Sequence, residues 1–146
     1  ISIPGGEVEA EDTDDLSTAL REFEEEMGVI VRRDDVIANL TERYIPPSKF
    51  AVKPFIAVLD RMPTWRIDSN EVAEVVVVPV ADLLPDDALR NTAIKMGKDQ
   101  NQAIHLPAYR FEEHIIWGAT AIMLAEFVAA WKQTFPDPVA TASAVR

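Results

Sequence analysis

The stretch Pro4-Gly5-Gly6-Glu7-Val8-Glu9-Ala10-Glu11-Asp12-Thr13-Asp14-Asp15-Leu16-Ser17-Thr18-Ala19-Leu20-Arg21-Glu22-Phe23-Glu24-Glu25-Glu26-Met27-Gly28-Val29 decides the reading of this chain. From Leu16 to Met27 the apolar residues Leu16, Ala19, Leu20, Phe23 and Met27 recur at helical spacing, so they form one stripe facing a core. Glu22, Glu25 and Glu26 are spaced i, i+3, i+4 and share another face. Arg21 stands four residues before Glu25, within ion-pair reach. Thr13, Asp14 or Asp15 can cap the helix start, and Gly28 supplies a residue free to turn left-handed at its end.

Like charges at i, i+4, such as Glu22 and Glu26, cost roughly 0.2–0.5 kcal/mol on an exposed helix. Charge alone therefore fits a solvated acidic helix. The joint pattern is more specific: a Pro-Gly-Gly turn, Arg-Glu in mid-helix, and Glu-Glu-x-Gly at the end. Clustered carboxylate oxygens suit a hard cation, Mg²⁺ or Mn²⁺. A glycine turn lets the backbone come close, so a carbonyl near Gly6 can add a ligand.

This pattern resembles the Nudix box. The resemblance implies a metal-dependent hydrolase that cuts a nucleoside diphosphate linked to another group. Carried over by position, it makes Glu22, Glu25 and Glu26 the metal-binding set and Arg21 the residue that orients a glutamate. Arg21, Glu22 and Glu25 then form the catalytic group, and Gly5 and Gly6 shape the loop that meets the diphosphate. A metal clamp there would neutralise phosphoryl oxygens and acidify bound water. Eight residues before Arg21 the family has Glu; here it is Thr13, flanked by Asp12 and Asp14, and the gap from Gly6 is one residue longer. Both features resemble the coenzyme A pyrophosphatase branch, with Asp12 as the stand-in. Tyr44-Ile45-Pro46-Pro47-Ser48-Lys49-Phe50, Val52-Lys53-Pro54-Phe55 and Ile116-Trp117-Gly118-Ala119-Thr120-Ala121 resemble the same branch. The branch implies coenzyme A as substrate, with 3′,5′-ADP and 4′-phosphopantetheine as products. ADP-ribose, a nucleoside triphosphate, or no catalysis at all are the alternatives. Ile1-Ser2-Ile3-Pro4 falls inside the strand that leads into the box, so the family's first strands and an upstream arginine motif are expected ahead of it.

The 146 residues carry a net charge of −11, which opposes general nucleic-acid binding. Much of the acid lies between Glu7 and Glu26, so Arg32, Arg33, Arg43, Lys49 and Lys53 are candidates for meeting substrate phosphates. No run of 18 uncharged apolar residues suggests a membrane span. The absence of cysteine rules out disulfides and thiol catalysis and is compatible with a cytoplasmic location. A homodimer is compatible with the sequence.

The fold class expected is α/β, a Nudix-type α/β/α sandwich with a mixed sheet between helices. One domain is expected over residues 1–135, with a frayed tail over 136–146. Val29-Ile30-Val31 reads as a strand start, Tyr44–Phe50 as an extended loop, Ala51–Leu59 as a strand with an edge or bulge at Pro54, and Val75–Val78 as a buried strand. Met62–Asn70 reads as a turn or long connection, Val80–Leu84 as a helical turn, and Asp86–Asn101 as a polar surface excursion. Ala103–Leu106 and Tyr109–Phe111 read as paired strands, and Gly118–Trp131 as an apolar helix. Glu71, Glu74, Glu112 and Glu113 are candidates for an additional carboxylate, whereas His105 and His114, nine apart, lack metal-ligand spacing. Trp117, Tyr44, Phe50 and Trp65 are read as packing aromatics, the last three also as candidates for stacking on adenine.

Overall fold

The computed structural model describes residues 1–96 and 102–144. They divide into two compact units, Ile3–Val76 and a second made of Ile1–Ser2 with Val77–Arg146. Both contain helices and antiparallel strands, so the α/β class holds.

The first unit begins with α1 (Asp15–Met27). Asp14 is its N-cap: the carboxylate accepts from Ser17 N at 2.8 Å, and the Ser17 hydroxyl accepts from Asp14 N at 3.0 Å. Gly28 closes the helix in the left-handed region (φ 65°), its N–H donating to Glu24 O. A strand does not start at Val29. Arg32 instead folds back on Asp35, which accepts from its backbone N–H and its guanidinium, and this makes a 3₁₀ turn at Arg33–Asp35. Strand β1 (Val36–Asn39) follows.

Where an extended loop was expected, β2 (Arg43–Ile45) and β3 (Phe50–Val52) pair as a hairpin. Pro46 and Pro47 sit in its turn, Lys49 takes φ 62°, and Lys49 N donates to Ile45 O at 2.8 Å. The single strand expected over Ala51–Leu59 is split at Lys53-Pro54. The part before pairs with β2, and β4 (Phe55–Ala57) pairs with β1. The segment after it carries no strand, but its backbone docks on the end of α1: Arg66 N donates to Met27 O and Asp68 N to Glu26 O, each at 3.0 Å.

Val75–Val78 forms no strand, and Val77 is 46% exposed. β-Branched residues favour an extended backbone, but a strand also requires a partner, and none pairs with them among the described residues. The second unit then contains α2 (Val80–Leu83), β5 (Arg90–Met96), β6 (Gln102–Phe111), β7 (His114–Trp117), α3 (Gly118–Thr134) and α4 (Pro138–Ala144). Part of the expected polar excursion is therefore β5. Its alternation is visible in hindsight: Thr92 and Ile94 are buried while Asn91, Ala93 and Lys95 are exposed. The rest of that excursion, 97–101, lies outside the described residues.

The two strands expected at 103–106 and 109–111 are one, β6, which pairs with β5 on one side and β7 on the other. Pro107 does not break it. It lies beyond the last β7 pairing, Ala108↔Trp117, where β6 has a neighbour on one side only. The core beneath this sheet holds Leu84, Tyr109, Ile116, Ala121 and Val128. The expected frayed tail contains a helix. Asp137 accepts from Ala140 N, Pro138 occupies the first turn, Trp131 Nε1 donates to Pro138 O at 3.1 Å, and Ala142 is buried. Among the described residues no helix is long and apolar enough to cross a membrane.

Candidate active site

Helix α1 carries Glu24, Glu25 and Glu26 in its last turn, with no basic residue there. That is the negative end of the helix dipole, where carboxylates are disfavoured. Their charge is met from one turn earlier. Arg21 Nη1 donates to Glu22 Oε1 at 2.9 Å and to Glu25 Oε2 at 3.1 Å. Its other edge holds Asp12: Nε donates to Oδ1 at 3.2 Å and Nη2 to Oδ2 at 3.0 Å. Nη2 also donates to Glu7 O at 3.0 Å, and the Glu9 carboxylate is 3.8 Å away. The planar fork of arginine can address several acceptors at once, which an ammonium group cannot do in fixed geometry.

Asp12 is the least exposed member of the cluster, its side chain 5% accessible. It also accepts from Thr18 Oγ1 at 2.9 Å and from Glu9 N at 2.9 Å. The Arg21 hydrogen bonds, followed by that of the Glu9 amide, hold its carboxyl far below the ordinary carboxylate range. Asp12 in turn raises the pKa of Arg21. Asp12, the residue read from the sequence as the stand-in, is thus the one that anchors Arg21. Asp14 caps the helix instead, and Arg33 with the Ser17 amide lowers it to about 2.

The glycine turn meets the same face. Gly5 N donates to Glu26 Oε1 at 3.2 Å. Gly6 lies against Glu22 so closely that a Cβ there would overlap the carboxylate. A larger residue there would push the Glu22 carboxylate out of its present position. The structure therefore brings Gly5, Gly6, Arg21, Glu22, Glu25 and Glu26 to one face of α1.

The donor chemistry fits a divalent hard cation: carboxylate oxygens, with backbone oxygen close by. Among the described residues, no three acidic or imidazole side chains converge on a common point as a ligand set. Glu22 and Glu25 are turned to Arg21, and Glu26 to Gly5.

The other candidates stand elsewhere. Trp65 packs edge-on against Phe23, centroids 6.4 Å apart, as a packing aromatic. Tyr44 and Phe50 are exposed on the β2–β3 hairpin. Glu112 and Glu113 form the β6–β7 turn, Glu112 with φ 52°. Of the basic candidates, Arg32 pairs with Asp35, Arg33 with Asp14, and Lys53 with Asp15. Sequence reasoning passed over Arg61 and Arg66, which line a cleft of about 750 Å³ at the end of α1. Their signal was slight: two arginines in a stretch that otherwise reads as a connection.

Comparison with known proteins gives a consistent result. The NUDIX domain family matches residues 1–99. The human mitochondrial coenzyme A diphosphatase NUDT8 is 34% identical over 125 residues, which cover 84% of this chain and 52% of that protein. Nudix hydrolase 15, mitochondrial, of Arabidopsis thaliana is 33% identical over 145 residues, covering 96% of this chain and 49% of that protein. The uncharacterized Nudix hydrolase NudL of Photorhabdus laumondii is 27% identical over 126 residues, covering 85% and 64%. The chain spans about half the length of the first two of these relatives.

Proposed function

Because the chain belongs to the Nudix family, we propose that it is a hydrolase of phosphoric anhydrides whose substrate is coenzyme A or a derivative, cut to 3′,5′-ADP and 4′-phosphopantetheine. The observation that carries the reading is the Arg21 hub. One guanidinium bonds Asp12, Glu22 and Glu25, and the Gly5-Gly6 turn closes on Glu22 and Glu26. Such a face holds several carboxylates in a fixed array, at the point where a glycine loop can admit a diphosphate.

In this reading Glu22, Glu25 and Glu26 hold Mg²⁺ or Mn²⁺. When bound, the metal supplies charge neutralisation on the phosphoryl oxygens and an acidified water. Arg21, anchored by Asp12, keeps Glu22 and Glu25 oriented. Gly6 keeps the loop against Glu22, and Gly5 N orients Glu26. Coenzyme A is favoured over other diphosphates by the position of Asp12 and by the similarity to a protein named as a coenzyme A diphosphatase. The names of the human relative and the Arabidopsis thaliana relative, both mitochondrial, make an organelle as fitting a site of action as the cytoplasm.

The test is product analysis. The protein is incubated with Mg²⁺ or Mn²⁺ and coenzyme A, ADP-ribose or deoxynucleoside triphosphates. The reading expects 3′,5′-ADP from coenzyme A as the fastest product. Cleavage of ADP-ribose or a triphosphate with coenzyme A untouched would transfer the assignment to that substrate, and no cleavage of any would leave a binding module.

A further inference from the structure

Helix α1 ends on a cleft that the roles above do not use. Its charged lining is Arg32, Arg61, Arg66, Asp35 and Asp60. Three guanidiniums stand against two carboxylates, a net charge of +1: Asp35 is hydrogen-bonded to Arg32 through Nε at 3.2 Å and Nη2 at 2.9 Å, and Asp60 lies within electrostatic reach of the same guanidinium. Arg61 and Arg66 have no hydrogen-bond or ion-pair partner for their side chains among the described residues. In a chain of net charge −11, where Arg21, Arg32, Arg33 and Lys53 in this unit are each matched to a carboxylate, two unmatched guanidiniums facing one cleft are a local positive excess.

The helix end would ordinarily repel an anion, because its last carbonyls point outward. Here three of the last four are occupied: Glu24 O accepts from Gly28 N, Glu26 O from Asp68 N, and Met27 O from Arg66 N. Arg66 is also fixed in position, since its backbone carbonyl packs against Gly28 so closely that a Cβ on Gly28 would collide with it. The cleft begins at Gly28, the residue that closes α1 two positions beyond Glu26.

We propose that this cleft is an anion site in which Arg61 and Arg66 take a phosphate monoester. Resting on the function proposed above, that group is the monoester phosphate on the nucleotide half of the substrate, separate from the diphosphate to be cut. Guanidinium forks suit the three terminal oxygens of a monoester better than the two free oxygens of a diester. The site would thus set specificity for 3′-phosphorylated nucleotides.

Titration calorimetry tests it without any turnover. The full chain is titrated with adenosine 3′,5′-bisphosphate and with adenosine 5′-monophosphate, in the wild type and in Arg61→Gln and Arg66→Gln. The bisphosphate should bind about tenfold more tightly than the monophosphate, as charge-assisted hydrogen bonds imply. Each variant should remove most of that preference while leaving monophosphate affinity and melting temperature unchanged. Equal affinity for the two nucleotides in the wild type, no binding of either, or a preference that survives both substitutions overturns the proposal. Its fate is separable from that of the hydrolase reading. Loss of the preference in the variants of a protein that cannot cleave coenzyme A would keep the anion site and discard the activity. Cleavage with no arginine-dependent preference would do the reverse.

Discussion

Arg21 and its neighbours make the sharpest claims testable by substitution. Lysine at 21 keeps the charge but cannot hold both oxygens of Asp12 while reaching Glu22 and Glu25. Arg21→Lys should therefore lower kcat with little change in KM, and an unchanged kcat in steady-state assays would remove the hub from the account. Gly6→Ala would displace the Glu22 carboxylate; misplacement of that order costs about a hundredfold in kcat/KM. Gly28→Ala is a stability change: left-handed strain plus collision with the Arg66 backbone should cost about 2 kcal/mol or more in urea unfolding. Asp14 gives a pH dependence of known sign. Its folded pKa, lowered to about 2 by Arg33 and the Ser17 amide, lies below the unfolded value of about 3.9. Its contribution is fully present above pH 4 and is lost as pH falls from there towards 2. Arg33→Gln should flatten that part of the curve of unfolding midpoint against pH; an identical slope in the variant would show that the pair contributes nothing.

The elements show where sequence is and is not informative. Helix α1 was legible because its signals are local: Thr13, Asp14 and Asp15 as cap candidates at one end, Gly28 at the other, and an apolar stripe between them. Helical spacing likewise put Arg21 within reach of Glu25, and the two are bonded at 3.1 Å, whereas the roles given to the site residues came from the family resemblance. Strands depend on partners far along the chain. Arg90–Met96 reads as polar surface until β6 is seen opposite it, and Val75–Val78 reads as a buried strand until no partner is found. The β2–β3 hairpin hid behind two prolines that turned out to make its turn, and α4 behind alanines whose start signal, Asp137-Pro138, was overlooked. Arg66 escaped notice because its role comes from docking on the end of α1, which no local pattern encodes. The β6–β7 sheet and α3 share a core, so Ile116→Ala, at a position 2% exposed, should cost about 2–5 kcal/mol by urea unfolding. A cost below 1 kcal/mol would mean that this core is loosely packed.

With a charge of −11 the chain repels itself, and the acid is concentrated where α1 presents its carboxylates. Monovalent salt should stabilise it only by screening. Mg²⁺ at 100 times its dissociation constant should add roughly 2.7 kcal/mol beyond potassium chloride of equal ionic strength. The identity of the bound ion matters less than where it binds. Manganese titration followed by electron paramagnetic resonance, on the wild type and on Glu22→Gln and Glu26→Gln, reads that location directly. Tight binding in the wild type that weakens at least tenfold in each variant is the predicted result; manganese affinity indifferent to both substitutions would contradict it.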